Sequence, residues 1–480
     1  MRRTIVIACS AILFIAAAAL PARAQGISLV RDAEIERYIK VWSEPIFRAA
    51  EIEQGAVKIH LVNDDSVNAF VANGQRIFVF TGLLTAAKDP LEVIGVLAHE
   101  TGHITGGHLS RFRDGLQGAS TISIISLILG AAAIAAGAGD AGAAILGSSG
   151  EFATRSFLTY SRTQEASADQ AGLQFLTASG QSAHGLINFF EYLGDQEALL
   201  TTNQDPYVRS HPLTQDRIAR LRESAQQSPF WMRPARPEYT EMLKRTQAKL
   251  HGFLTYPPRV LRMYPVEDTS PYARYARAVA YHRQALTDQA MEELDALLAD
   301  APRDPYYWEL KGQILFESGR MAEAIEPYRT AVRMAPYEPL IRVALAQSIL
   351  STEDPETVEE AIGNLRAANR MEPNNGFAWH QLALAYNLKG DEARAALASA
   401  ERFAIAGRAP EAARQARLAT KELEPDTPEW YRAQDLYMIA RNAIEDDYRR
   451  RGKKPPPDPD DPEKGDPDND DTPEQTGEQG

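Results

Sequence analysis

His99-Glu100-Thr101-Gly102-His103 is a stretch of this 480-residue chain whose residue types and spacing specify a reaction. Residues four apart on a helix share a face, so His99 and His103 can offer imidazole nitrogens to one tetrahedral Zn²⁺. Glu100 falls about one hundred degrees round the same helix, beside such a metal rather than aimed at it. That placing suits a general base, which takes a proton from water whose pKa the metal has lowered. Two histidines leave a catalytic zinc one protein ligand short. Glu165 and Asp169 share a face of a second predicted helix, Tyr160 to Gly180. A carboxylate from there completes a His₂Glu site with a position open for water, and Glu165 is the expected ligand. Asp169 is expected to orient His99 or His103 through a ring N–H.

Several elements must hold these residues in place. Asp89-Pro90-Leu91-Glu92 is a helix start, with an N-cap, a first-turn proline and a capping-box glutamate. Leu91, Ile94, Leu97 and Ala98 give that helix a buried face. Residues 33–52 read as an amphipathic helix through Ile35, Ile39, Trp42 and Ile46. Ala56 to Val62 alternates as a strand, and Asn68 to Thr81 reads as a hairpin turning at Asn73-Gly74. Such a sheet can take an extended peptide at its edge, or it can simply cover the metal helix. Ala166, Ala168, Ala171 and Gly172 permit close packing of the second helix. His108 lies five residues beyond His103, on another helical face, and is expected to support or pack rather than ligate.

His211 precedes Pro212, which biases it to extended backbone. Its loop is short enough to return over the active site. There the imidazole could take the fourth zinc position reversibly, as a latch. The alternatives are capping of the helix from Thr214 and contact with substrate in the transition state.

These runs resemble the metallopeptidase family that includes prenyl-protein-processing endopeptidases and the heat-shock membrane protease of bacteria. The likeness is carried by His99-Glu100-Thr101-Gly102-His103, by Ser161-Arg162 with Glu165, Ala168 and Asp169, and by Asn68-Ala69-Phe70 and Thr81-Gly82-Leu83-Leu84. It covers roughly residues 30–225. It implies one zinc per chain on His99, His103 and Glu165, with Glu100 as the catalytic base; Arg162 is expected beside them. The chain departs from the family in lacking a multi-span membrane region.

Beyond that region a 34-residue period runs from Pro302 to Pro336. Trp308, Gly312, Leu315, Gly319, Ala324, Tyr328 and Ala331 fall on the tetratricopeptide pattern, and Trp379, Leu382, Ala383, Tyr386, Gly390 and Ala395 repeat it. Such repeats stack into a superhelix that binds partners. The expected fold is an α+β zincin-type peptidase followed by an all-α repeat superhelix. The expected boundaries are a signal peptide over 1–24, a peptidase domain over 25–228, a linker with a bridging helix over 229–270, repeats over 271–445 and a disordered acidic, Pro-rich tail over 446–480.

The only cysteine, Cys9, lies in the signal peptide, so the mature chain needs no disulfide in an oxidising compartment. The net charge is −14, half of it in residues 452–480, and no basic patch suggests nucleic acid. Gly115 to Gly150 is Gly/Ala-rich and apolar. Its second half is too short to span a bilayer, which leaves a hairpin over the active site or peripheral membrane contact.

A secreted peptidase joined to such repeats resembles periplasmic proteases that attend outer-membrane assembly. The resemblance implies misfolded outer-membrane proteins as substrates and the β-barrel assembly machinery as partner. The rival readings are an assembly chaperone acting through its repeats and a membrane-associated processing peptidase.

Overall fold

The computed structural model describes residues 28–72, 75–108, 150–199, 211 and 213–457. The expected signal peptide, the expected turn at Asn73-Gly74, the Gly/Ala-rich stretch over 115–149 and the tail beyond 457 lie outside them. The chain divides into two compact units, with the division between Ala280 and Tyr281.

The first unit opens with β1 (Leu29–Val30) and α1 (Ala33–Ala49), whose N-cap Asp32 accepts from the Ile35 N–H. The apolar stripe expected on α1 is buried, with Ile35, Ile39, Trp42 and Ile46 all at 1% exposure or less. Then follow β2 (Lys58–Val62), β3 (Ala69–Ala72) and β4 (Arg76–Phe80). The strand order is β1-β2-β4-β3. β3 and β4 form the expected antiparallel pair, with Phe70 opposite Phe78. β2 runs parallel to β4 and antiparallel to β1.

α2 (Thr81–Ala86) leads into α3 (Pro90–Thr105), the helix of His99 and His103. Asp89 caps α3 by accepting from the Leu91 N–H at 2.7 Å, while Glu92 reaches back to the Lys88 N–H at 2.9 Å. A single apolar face was expected of α3. Val93 and Val96 are buried as fully as Ile94 and Leu97, so α3 is a central helix covered on all sides. Its neighbours are α4 (Gly150–Ala178) and α5 (His184–Leu199), followed by α6 (Gln215–Gln226).

Two glycine seams set these contacts. A Cβ on Gly102 would lie 2.5 Å from the Ala168 carbonyl oxygen, so α3 and α4 meet backbone to backbone. A Cβ on Gly185 would lie 2.3 Å from the backbone of Leu91, which seats α5 equally close.

The segment expected as a linker, 229–270, is part of this unit. It forms α7 (Pro237–Leu254) and α8 (Pro257–Met263). The Gln247 side chain on α7 donates to the carbonyls of Leu84 and Ala87 at the end of α2, at 3.1 and 2.7 Å. Ala248 and Val260 pack with Ala276 and Ala280 of α9 (Pro271–His282), the helix with which the repeats were expected to begin.

The second unit is a run of paired helices: α10 (Thr287–Asp300), α11 (Pro305–Glu317), α12 (Met321–Met334), α13 (Pro339–Leu350), α14 (Val358–Met371), α15 (Gly376–Lys389), α16 (Glu392–Ile405), α17 (Ala409–Glu422) and α18 (Pro428–Arg450). Each helix packs on the next. Gly312 lies against the Tyr328 ring, where a Cβ would come within 2.7 Å. Six residues after each boundary proline a side chain donates to its carbonyl: Trp308 to Pro302, Arg342 to Pro336 and Trp379 to Pro373, at 2.8–2.9 Å. Arg342 thus does in its repeat what tryptophan does in the repeats on either side. The last helix runs to Arg450, past the expected start of the tail, because Ile444 is buried and Tyr448 packs with it. Among the described residues no helix is long and apolar enough to cross a membrane.

Candidate metal centre

His99 and His103 leave α3 on one face, and Glu165 leaves α4 opposite them. The helices are close enough for this because Gly102 abuts Ala168 and Gly172 abuts the backbone of Ala98 and His99. His211 completes the group. Its Nδ1 lies 3.2 Å from both His99 Nε2 and Glu165 Oε2. His99 Nε2 and His103 Nε2 are 3.1 Å apart, and Glu165 oxygens lie 3.4 and 3.3 Å from them. One ligand atom from each of the four residues lies within 4.8 Å of every other.

The donor set fits a cation. His99 Nδ1 lies 2.9 Å from Asp169 Oδ1, an acceptor, so that nitrogen carries the proton and Nε2 presents a lone pair inward. His103 Nδ1 is 3.0 Å from His108 Nδ1, which likewise turns His103 Nε2 inward. Lone pairs facing one another beside a carboxylate repel unless a positive charge stands among them.

Asp169 lies where the sequence expected it, on His99. Arg162 does not lie beside the ligands; it is exposed, a turn N-terminal to Glu165. The guanidinium that meets these carboxylates is Arg217, which the sequence reading missed. Arg217 donates to both Asp169 oxygens at 2.6 and 2.8 Å and lies 3.0 Å from Glu165 Oε2, with its face over Phe190. Two buried carboxylates four apart need a cation, and the helix entered from His211 supplies one. Thr214 caps that helix with its own hydroxyl, which accepts from the Arg217 N–H, so His211 is not its cap.

Glu100 is wholly buried, and neither carboxylate oxygen accepts a hydrogen bond among the described residues. Facing it is His211, with Nε2 3.4 Å from Oε1. Burial pushes the Glu100 carboxyl above its ordinary value, partly offset by His211 and His99. Burial also opposes charge on His99, but with no cation among these groups Asp169 and Glu165 overcome it and raise His99 to about 9, so a bound cation would take the place of the Nε2 proton. Burial prevails at His103, which is lowered to about 3. Glu165 is buried too, yet His211, His103 and His99 hold it well below the carboxylate range.

Three imidazoles, one carboxylate and an adjacent glutamate without a hydrogen-bond donor define the class as a metallopeptidase. Residues 31–225 match peptidase family M48. Residues 266–401 match the TPR domain of cytochrome c-type biogenesis protein H. The chain is 25% identical over 401 residues to the beta-barrel assembly-enhancing protease of Yersinia pestis, covering 80% of this chain and 79% of that one. It is 25% identical over 391 residues to the protein of that name in Escherichia coli K12, covering 80% and 78%. Metalloprotease LoiP of Escherichia coli K12 is 31% identical over 167 residues, covering 35% of this chain and 61% of that one. The protein is a metalloendopeptidase whose N-terminal region is similar to the M48 peptidases and whose C-terminal region is an all-helical, tetratricopeptide-like repeat.

Proposed function

We propose that this chain is a periplasmic zinc endopeptidase that degrades misfolded or stalled outer-membrane proteins and assists their assembly. The observation that carries the reading is the convergence of His99 Nε2, His103 Nε2, His211 Nδ1 and Glu165 within 4.8 Å, with Glu100 alongside. The names of the two relatives that span most of the chain support the cellular role. His99, His103 and Glu165 would hold the zinc. Bound there, the ion supplies a Lewis acid for the scissile carbonyl and lowers the pKa of water.

The remaining chemistry belongs to the side chains. Glu100 takes the proton of the attacking water and returns it to the leaving nitrogen. Asp169 and Arg217 hold His99 and Glu165 in orientation. His211 acts as a latch: its ring lies among the ligand atoms, where it would exclude the water that Glu100 activates. In this reading export follows from residues 1–24, and the repeats recruit the outer-membrane assembly machinery.

The test is Glu100→Gln in the full-length protein. It is expected to keep about one zinc per chain and to lose hydrolysis by about 10²- to 10⁴-fold, the range for removal of a general base. Comparable hydrolysis by that variant sinks the mechanism. Full biological activity without hydrolysis points to the chaperone reading. His211→Ala is expected to raise turnover of an unstructured peptide, and unchanged or reduced turnover removes the latch.

A further inference from the structure

Among the described residues β3 is paired on one side only, to β4. The Phe80 N–H donates to the Asn68 carbonyl at 3.0 Å, and Phe70 and Ala72 are in register with Phe78 and Arg76. Hydrogen bonding alternates along an antiparallel pair, so the peptide groups of Phe70 and Ala72 turn toward β4. Those of Ala69 and Val71 turn to the open edge. β3 also lies against α3, the helix of His99 and His103. An extended chain bound through Ala69 and Val71 would therefore add a strand to the sheet that packs on the metal helix.

The two faces of β3 differ. Ala69 is fully buried on one. On the other, Phe70 stacks on Phe78 at 5.0 Å and 12°, Phe78 stacks on His60 at 5.0 Å and 25°, and Phe80 meets Phe70 edge-on at 5.8 Å. Three rings thus stand in register across β2, β4 and β3, and the row stops at Phe70, on the open edge. Phe70 and Phe78 are partly exposed. Burial, with Arg76, Arg31 and Lys58, holds His60 below its ordinary value, so the row is uncharged at neutral pH. The same cations disfavour a basic side chain close by. In an incoming antiparallel strand, the residue opposite Phe70 occupies a non-hydrogen-bonded position, where facing side chains come closest.

We propose that the His60–Phe78–Phe70 row is a specificity subsite, which takes an aromatic side chain of the substrate strand at the position opposite Phe70. The inference rests on the peptidase reading above and names its substrate class: extended, strand-forming segments with an aromatic residue at one fixed offset from the cleaved bond. One added aromatic stack is worth roughly 2- to 12-fold in selectivity.

The test compares zinc-loaded, full-length wild type, Phe70→Ala and Phe70→Tyr on a randomised peptide library, with cleavage sites read by mass spectrometry. Wild type is expected to favour Phe, Tyr or Trp over Ala at a single position, by roughly 2- to 12-fold in kcat/KM. Phe70→Ala should bring that ratio toward one, and Phe70→Tyr should restore it. Zinc content and thermal midpoint check that each variant is folded. If Phe70→Ala fails that check, Phe70→Leu keeps the bulk without the ring and should lower the same ratio. Cleavage without a single-position aromatic preference overturns the subsite and leaves the peptidase reading standing, as does a preference that survives loss of the ring. No cleavage by wild type overturns both.

Discussion

The first unit buries two clusters of charge, and they are built to opposite ends. Around Glu34 the charges are matched from within the fold. Tyr38 and Tyr275 hydroxyls donate to its two oxygens at 2.8 and 2.6 Å, Arg245 pairs with one, and Lys249 lies 3.3 Å from the other and 2.8 Å from Asp32. At His99, His103, Glu165 and His211 ring nitrogens and carboxylate oxygens crowd together at 3.1–3.4 Å, while His99 Nδ1 faces Asp169 and His103 Nδ1 faces His108. A buried charge matched by internal countercharges fixes structure. A buried set of lone pairs without enough protons selects a cation from outside.

The sharpest way to break this contrast is to remove one member from each cluster. His99→Ala is expected to lose most bound zinc and to bring hydrolysis to background; retention of stoichiometric zinc would show that the three remaining residues suffice. Glu34→Ala should leave zinc per folded molecule unchanged. It takes the carboxylate away from Arg245 and Lys249, with an expected cost of about 3–5 kcal/mol in denaturant unfolding. A loss under about 1 kcal/mol would mean that the cluster contributes little beyond packing.

The pH dependence sharpens the same point. Burial opposes the Glu34 charge, but Arg245, Lys249 and the two tyrosines hold its pKa below the ordinary 4.5. A depressed carboxyl stabilises the fold above its unfolded pKa, and this is lost as pH falls through the folded value. Unfolding free energy should therefore drop below about pH 4.5, and Glu34→Gln should flatten that slope. An equally steep acid limb in the variant would assign the loss to other carboxylates. The smallest expected effect is Asp169→Asn, which keeps the shape beside His99 but changes the partner of its ring. Zinc affinity should fall about 10- to 100-fold, measured by competition with a chelator.

How far the sequence could show this follows from the same contrast. His99, Glu100 and His103 were legible because a helix converts spacing into a shared face. Glu165 and Asp169 were legible because a zinc site short of a ligand makes a carboxylate pair informative. Arg217 was not, since its role depends on α6 returning to α4, a contact 48 residues apart. Arg162 was misplaced for the complementary reason: proximity in sequence to Glu165 says nothing of which turn the cation lies on. The sheet order escaped because β2 pairs in parallel with β4, beyond the local turn that announces β3–β4. The segment 229–270 reads as a linker because Pro229, Pro234, Pro237, Pro257 and Pro258 mark a composition shift there. Asp32 and Glu34, more than two hundred positions earlier, explain why Lys249 is buried.

The seam between Gly102 and Ala168 bears on how freely this catalytic signature can vary or be moved to another scaffold. A pattern written His-Glu-x-x-His leaves two letters open, but here neither is. The Thr101 hydroxyl donates to the Leu97 carbonyl at 2.6 Å inside a fully buried turn. At position 102 any β-carbon would drive α3 off α4 and take Glu165 away from the two histidines. Neutral drift at that codon is closed unless Ala168 and its whole helix move in step. A designer grafting the five residues onto a new helix would transplant the ligands without the surface that brings their third member within reach.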